Sequence, residues 1–109
     1  MSNTPPNILF LQADQLSASA LGTYGNTVTK TPHLDRLFKK STVFENAYCN
    51  NPLCVPSRAS MLSGRLGSAI GVYDNGSEFK ASVPSFIHYL RKNHYQTCLS
   101  GKMYYVGPD

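Results

Sequence analysis

The chain has 109 residues, which suits one small domain, and 41% of them are hydrophobic, which is compatible with a packed core. Ten Lys and Arg residues against six Asp and Glu residues give a net charge of +4, scattered along the chain. A scattered excess is typical of a solvated surface, so the composition argues against nucleic-acid binding and against disorder. The start of the sequence has no basic n-region and its first apolar run is shorter than a membrane span, so we expect no signal peptide and no membrane association.

Three cysteines, Cys49, Cys54 and Cys98, occur in the chain. An odd number cannot be fully paired within one chain, and their spacing matches no zinc-binding pattern. We therefore predict a reducing, cytoplasmic compartment.

The chain opens with a short polar lead-in, residues 1–6, after which residues 7–13 form an almost continuous apolar run. A run of this length predicts a strand covered on both faces, as in a parallel sheet. Asp14 follows at its carboxyl end, where open α/β sheets bind their ligands. From its position alone, Asp14 either binds a hard divalent cation through oxygen or caps a turn.

The next segments predict a loop, a helix and a strand. Residues 16–30 are rich in Ser, Gly and Thr and show no helical periodicity. Residues 31–40 predict a helix with Thr31 as the N-cap and Pro32 at the first helical position. The apolar residues of this helix share one face: Leu34, Leu37 and Phe38. Residues 42–48 are β-branched and aromatic and predict a strand.

Residues 54–65 predict a reactive side chain at the start of a short helix. Pro56 suits the first helical position, and Gly64 is a natural stop. Free N–H groups of the first helical turn and the guanidinium of Arg58 would then face a site beside Cys54. Such a site favours an anionic, tetrahedral ligand. The alternative is a buried structural cysteine followed by a capped helix.

The last part of the chain predicts a second amphipathic helix over residues 84–93 and a strand over residues 95–100. Gly101 and Lys102 follow at the carboxyl end of that strand. The element order of strand, helix, strand, helix, helix and strand predicts an α/β fold. Asn75 lies in an Asp-Asn-Gly sequence, which by itself indicates a turn.

At these positions the sequence resembles the sulfatase family of the alkaline phosphatase superfamily. Six residues match the family signature position by position: Cys54, Pro56, Ser57, Arg58, Gly64 and Arg65. The apolar strand that ends in Asp14 and the Gly-Lys pair at Lys102 also resemble the family. The pattern Tyr-Asp-Asn-x-x-Glu-Phe at residues 73–79 resembles the choline-sulfatase branch more closely than the family at large.

The resemblance implies a fold and an activity. The fold is an alkaline-phosphatase-like sheet with helices on both faces, of which residues 7–109 form only the N-terminal portion. The activity is hydrolysis of a small-molecule sulfate ester, with Ca²⁺ or Mg²⁺ as the cation. A formylglycine-generating enzyme converts Cys54 to formylglycine, whose hydrate is the nucleophile. In the family fold, later segments supply further metal ligands and a His that acts as the acid for the leaving alcohol.

The resemblance also implies roles for single residues. The catalytic residues are Cys54, Arg58 and Lys102; the metal ligands are Asp14, Gln15 and Cys54; the substrate-binding residues are Asn75 and Lys102. Gln15 departs from the second Asp that the family commonly has, although an amide oxygen still coordinates. Tyr104 replaces the family His that supports the nucleophile, and with a pKa of about 10 a Tyr does not relay protons near neutral pH.

Two other interpretations stay open at this point. One is a non-catalytic remnant of a sulfatase, for which a stop codon after Asp109 would be evidence and against which a continuing reading frame would argue. The other is a phosphate or phosphonate ester hydrolase of the same superfamily, which comparative kinetics on sulfate and phosphonate esters would reveal. The sequence also leaves open a homo-oligomer of the full-length protein.

Overall fold

The computed structural model describes residues 4–103, in two compact units that divide between Ala47 and Tyr48. The first unit contains helix α1, Pro32–Phe38, and two short 3₁₀ turns, Ala18–Ala20 and Gly22–Tyr24. The second unit contains helices α2, Cys54–Ser63, α3, Gly67–Ile70, and α4, Phe86–Lys92. Among the described residues, no helix has both the length and the apolar character needed to cross a membrane.

No strand forms between residues 4 and 103, so the predicted α/β sheet is not confirmed. The three segments predicted as strands, 7–13, 42–48 and 95–100, contain no regular secondary structure. A strand is stabilised by hydrogen bonds to a neighbouring strand, and in the described part of the chain none of these segments pairs with another. Apolar composition at strand length was therefore insufficient to predict an observed strand.

The first unit confirms the predicted start of α1. Pro32 occupies the beginning of the helix and Thr31 is its N-cap, but the Thr31 hydroxyl donates to Asp35 Oδ1 at 3.0 Å instead of accepting a backbone N–H. The predicted loop over residues 16–30 contains the two 3₁₀ turns. It is held by the Asn26 side chain, whose Oδ1 accepts the N–H groups of Val28 and Thr29.

The second unit has a small apolar cluster between α2, α3 and the chain that follows α3. Its buried members are Val55, Ala59, Ile70 and Val72, with Phe79 and Val83 packed against them. The Val72 N–H donates to the Gly67 carbonyl at 2.9 Å. The main chain approaches Gly67 so closely that a Cβ there would lie 2.5 Å from the Val72 carbonyl oxygen. This close approach places the chain after α3 against the first residue of α3.

Helix α2 begins two residues earlier than the proline rule predicted, so Cys54 and not Pro56 is its first residue. Pro56 is still tolerated, because the N–H groups of the whole first turn lack intrahelical acceptors. The helix ends as predicted at Gly64, which has a φ of +67°. The left-handed conformation of such a C-cap favours glycine.

Helix α4 begins at Phe86, two residues later than the predicted segment. Its N-cap is the buried Ser85, and His88 completes a capping box. The Ser85 N–H donates to His88 Nδ1 at 3.1 Å, which requires a lone pair on Nδ1 and leaves the imidazole proton on Nε2. His88 therefore has a structural task at the start of α4.

Candidate active site

Cys54 is half-buried in the first turn of α2, and the residues that follow it hold it in place. Val55 is 2% exposed and packs in the apolar cluster, and Pro56 is fully buried. The Ser57 N–H donates to the Leu53 carbonyl at 3.0 Å, which closes the first turn of the helix around Cys54. Packing and hydrogen bonding therefore fix the main chain at Cys54.

The N–H groups of this turn are mostly occupied, which corrects the expectation that they are free for an anion. Leu53 donates to Asn51 Oδ1 at 2.9 Å, and Val55 donates to Asn75 Oδ1 at 3.0 Å. Pro56 has no N–H. Within residues 4–103, the Cys54 N–H is the donor of this turn that has no protein acceptor.

Asn75 reaches the start of α2 from a turn 20 residues later in the chain. A backbone N–H only donates, so the atom of the Asn75 amide that faces Val55 must be the oxygen. The Asn75 side chain is exposed, and within the described residues this is its one hydrogen bond. Asn75 is therefore a turn residue, as its sequence indicated, and its amide also contacts the N–H of Val55, the residue after Cys54.

Arg58 and Lys102 are brought together across 44 residues of sequence. The Arg58 guanidinium is buried, with 7% of the residue exposed, and its Nη1 donates to the Lys102 carbonyl at 3.0 Å. Lys102 itself is exposed and follows Gly101, whose φ of +102° suits glycine. At least one N–H of Arg58 is thus committed to holding the main chain of the predicted catalytic lysine.

Asp14 and Gln15 belong to the first unit, where they form a turn after the apolar segment. Gln15 has a φ of +56°, a left-handed conformation that is uncommon for residues other than glycine. Between residues 4 and 103 there is no group of three His, Cys, Asp or Glu side chains that could hold a metal ion. The carboxylate and amide oxygens of this turn are nevertheless ligands that hard cations prefer. Tyr104 lies outside the described residues.

The other two cysteines differ from Cys54 in exposure and in position. Cys49 and Cys98 are exposed, and all three cysteines are free thiols. Neither Cys49 nor Cys98 begins a helix.

Sequence reasoning missed two groups of residues that support the Cys54 turn. Asn51 accepts the Leu53 N–H, and Ser77 and Asp74 organise the turn that carries Asn75. The signal for Asn51 was available, because an Asn that precedes a helix start commonly accepts the N–H two residues on. The turn at Asn75 had a local signal, but its contact with α2 had none, since that contact is long-range.

A comparison with family models finds one described as Sulfatase, which matches residues 6–106. A choline-sulfatase of Rhizobium meliloti is 43% identical over 109 residues, which are 100% of this chain and 21% of that protein. An N-acetylglucosamine-6-O-sulfatase of Bacteroides thetaiotaomicron is 35% identical over 93% of this chain and 18% of its own length. The human iduronate 2-sulfatase is 34% identical over 93% of this chain and 19% of its own length. The chain thus spans about a fifth of the length of these curated relatives.

Proposed function

Since the chain belongs to the sulfatase family, we propose that it carries the nucleophile-bearing part of a sulfuric ester hydrolase. The observation that carries this proposal is the family match over residues 6–106, which includes the whole Cys-x-Pro-Ser-Arg signature at Cys54. The substrate is a sulfate monoester of a small alcohol. Choline sulfate is the first candidate, because a choline-sulfatase matches this chain from end to end.

The geometry around Cys54 supports the proposal. The first turn of α2 presents the Cys54 N–H. The Asn75 side chain accepts the N–H of the next residue, Val55, through Oδ1 and has its own Nδ2 group as a donor. Both are N–H donors at the positive end of a helix, and sulfate oxygens are acceptors only. Electrostatic complementarity of this kind lowers the free energy of an anionic transition state.

Formylglycine made from Cys54 supplies the nucleophilic oxygen, and a divalent cation supplies positive charge in the reaction. Arg58 and Lys102 add positive charge near the anion, and Lys102 also binds the sulfate oxygens. The hydrogen bond from Arg58 to the Lys102 carbonyl supports a joint role, because it holds the main chain of Lys102 against the Arg58 guanidinium. Asn75 Nδ2 donates to a sulfate oxygen.

We propose that Asp14 and Gln15 are ligands of the divalent cation. The donor set is chemically suited to Ca²⁺ or Mg²⁺, because both side chains offer oxygen ligands. Two side chains do not complete the shell of such a cation. The proposed site therefore includes ligands from outside the residues described.

We further propose that residues 7–13, 42–48 and 95–100 become strands of the alkaline-phosphatase-like sheet in a complete catalytic domain. Their apolar composition supports this, since a strand covered on both faces is apolar throughout. A reducing, cytoplasmic compartment is proposed from the three cysteines, all of which are free thiols.

The experiment uses the protein expressed from the complete natural reading frame that contains this sequence, hereafter the complete protein. It is co-expressed with a formylglycine-generating enzyme, and peptide mass spectrometry examines Cys54. We expect conversion of the Cys54 thiol to an aldehyde, and hydrolysis of choline sulfate only by the converted protein.

Cys49 is the internal control, because it lies close in sequence without the Pro and Arg of the signature and should remain a thiol. A phosphonate monoester assayed in parallel tests the related hydrolase activity. An unmodified Cys54, under conditions that convert a known sulfatase, would refute the proposed mechanism. Conversion without hydrolysis of any sulfate ester would instead favour the non-catalytic remnant.

A further inference from the structure

The turn that carries Asn75 is unusually well organised for an exposed segment. The Ser77 hydroxyl accepts the N–H of Tyr73 at 3.0 Å and that of Asp74 at 3.1 Å, and it donates to Asp74 Oδ1 at 2.9 Å. Asp74 Oδ1 also accepts the Gly76 N–H at 3.0 Å, and the Asp74 carbonyl accepts the Ser77 N–H at 3.2 Å. Five hydrogen bonds from two side chains and one carbonyl therefore surround the residue between them, Asn75.

This turn is anchored on α2 from both sides. Val72, which precedes the turn, is 1% exposed and packs in the same apolar cluster as Val55. Asn75, within the turn, accepts the Val55 N–H. Val55 of α2 thus shares an apolar cluster with the residue before the turn and donates its N–H to the middle of the turn.

From this arrangement we propose that Asp74 and Ser77 are positioning residues for the anion site beside Cys54. They hold the Asn75 amide so that Oδ1 accepts the Val55 N–H and Nδ2 is presented to an oxygen of a bound sulfate group. The inference rests on the proposed function, because it takes a sulfate group beside Cys54 as the ligand. It goes further by assigning separate tasks to the two ends of one amide.

The division of tasks has a chemical reason. Oδ1 is committed to a donor, so a sulfate oxygen can interact favourably with Nδ2 only. An amide that rotated freely would present its oxygen to the anion part of the time, which is repulsive. The turn removes this freedom before the ligand binds, and such preorganisation lowers the entropic cost of binding.

The test measures binding of inorganic sulfate to the complete protein with unconverted Cys54, by isothermal titration calorimetry. Ser77→Ala should weaken sulfate binding about tenfold, because one hydrogen bond to a charged group becomes misaligned. Ser77→Thr retains the hydroxyl and should restore binding. In the converted protein, Ser77→Ala should raise KM for the sulfate ester more than it lowers kcat, as expected for a loss of uniform binding.

Asn75→Asp distinguishes the acceptor role of Oδ1 from the donor role of Nδ2. The carboxylate still accepts the Val55 N–H at the helix N-terminus, so Tm should be maintained. The N–H donors are lost and a negative charge faces the sulfate, so sulfate binding should disappear. Ser63→Ala is the matched serine control, because Ser63 donates to the Ala59 carbonyl at the far end of α2 and should leave sulfate affinity unchanged.

Asp74→Ala and Asp74→Asn form a second pair, which decides the question if Ser77→Ala does not fold. Asp74→Ala should weaken binding like Ser77→Ala, and Asp74→Asn retains an acceptor oxygen and should restore it. Wild-type affinity in Ser77→Ala or Asp74→Ala, together with a loss of binding in Asn75→Asp, would overturn the positioning role and leave the proposed function standing. A wild-type protein that neither binds sulfate nor hydrolyses a sulfate ester would overturn both.

Discussion

At the scale of the residue, two predicted site residues have structural tasks that their chemistry in a sulfatase would not reveal. Arg58 is buried and donates to the Lys102 carbonyl, and Asn75 accepts the Val55 N–H. In each case one polar atom holds the main chain, which leaves fewer atoms for a ligand. Mutation of either residue therefore changes the geometry of the site together with its charge.

Arg58→Ala should lower the free energy of unfolding by about 2 kcal/mol, the typical contribution of a hydrogen bond to a charged group. The physical reason is the lost hydrogen bond from the buried guanidinium to the Lys102 carbonyl. Urea unfolding gives the value. Arg65→Ala is the control, since Arg65 is exposed and such a substitution changes stability by less than about 0.5 kcal/mol. Equal effects of the two substitutions would contradict a structural role of Arg58.

At the scale of the element, α2 is the support of the candidate site. Its first turn carries Cys54, and its inner face packs on Ile70 and Val72 through Val55 and Ala59. The chain after α3 passes close to Gly67, the first residue of α3, where Val72 enters this cluster. Gly67 permits that approach, because it has no side chain where the Val72 carbonyl passes.

Gly67→Ala should destabilise the chain by about 1–3 kcal/mol, as is usual when an atom is forced into a packed region. A Cβ at Gly67 would lie 2.5 Å from the Val72 carbonyl oxygen, so the main chain must shift. Gly76→Ala is the matched control, because its nearest contact would be Asp74 Oδ1 at 3.6 Å, an ordinary van der Waals distance. Thermal unfolding of both variants measures the difference. A Gly67→Ala variant with wild-type Tm would show that the close approach is not required.

At the scale of the whole molecule, the apolar segment before Asp14 is not buried in the structure. Its four consecutive apolar residues are more than half exposed: Ile8 61%, Leu9 81%, Phe10 59% and Leu11 77%. Contiguous exposed apolar surface is typical of an interface that another part of a protein covers. The proposed sheet would bury this segment on both faces.

Leu9→Lys should therefore have opposite effects in two contexts. In the 109-residue chain it should reduce self-association, because a charge replaces an exposed leucine, and light scattering measures this. In the complete protein it should lower Tm, because the proposed sheet would bury that charge. An unchanged Tm in the complete protein would contradict the proposed strand at residues 7–13.

Local patterns in the sequence were sufficient for α1, α2 and α4, whereas α3 was not predicted. Proline, capping and glycine signals predicted α1, α2 and α4 to within two residues of their starts. The Cys-x-Pro-Ser-Arg pattern predicts Cys54 as the nucleophile, and that role stays a prediction. These features depend on residues within one or two helical turns, so spacing along the chain contains the necessary information. The roles of Asp14 and Gln15 remain predictions of the same kind.

The long-range contacts could be found only in the folded chain. Val55 and Asn75 are 20 residues apart, and Arg58 and Lys102 are 44 apart, and each pair meets through packing of the segments between them. The predicted strands are not observed between residues 4 and 103 for the related reason that a strand requires a partner, which its own composition does not supply. Local sequence specifies which backbone conformations are favourable, whereas the pairing of distant polar groups depends on the whole packed arrangement.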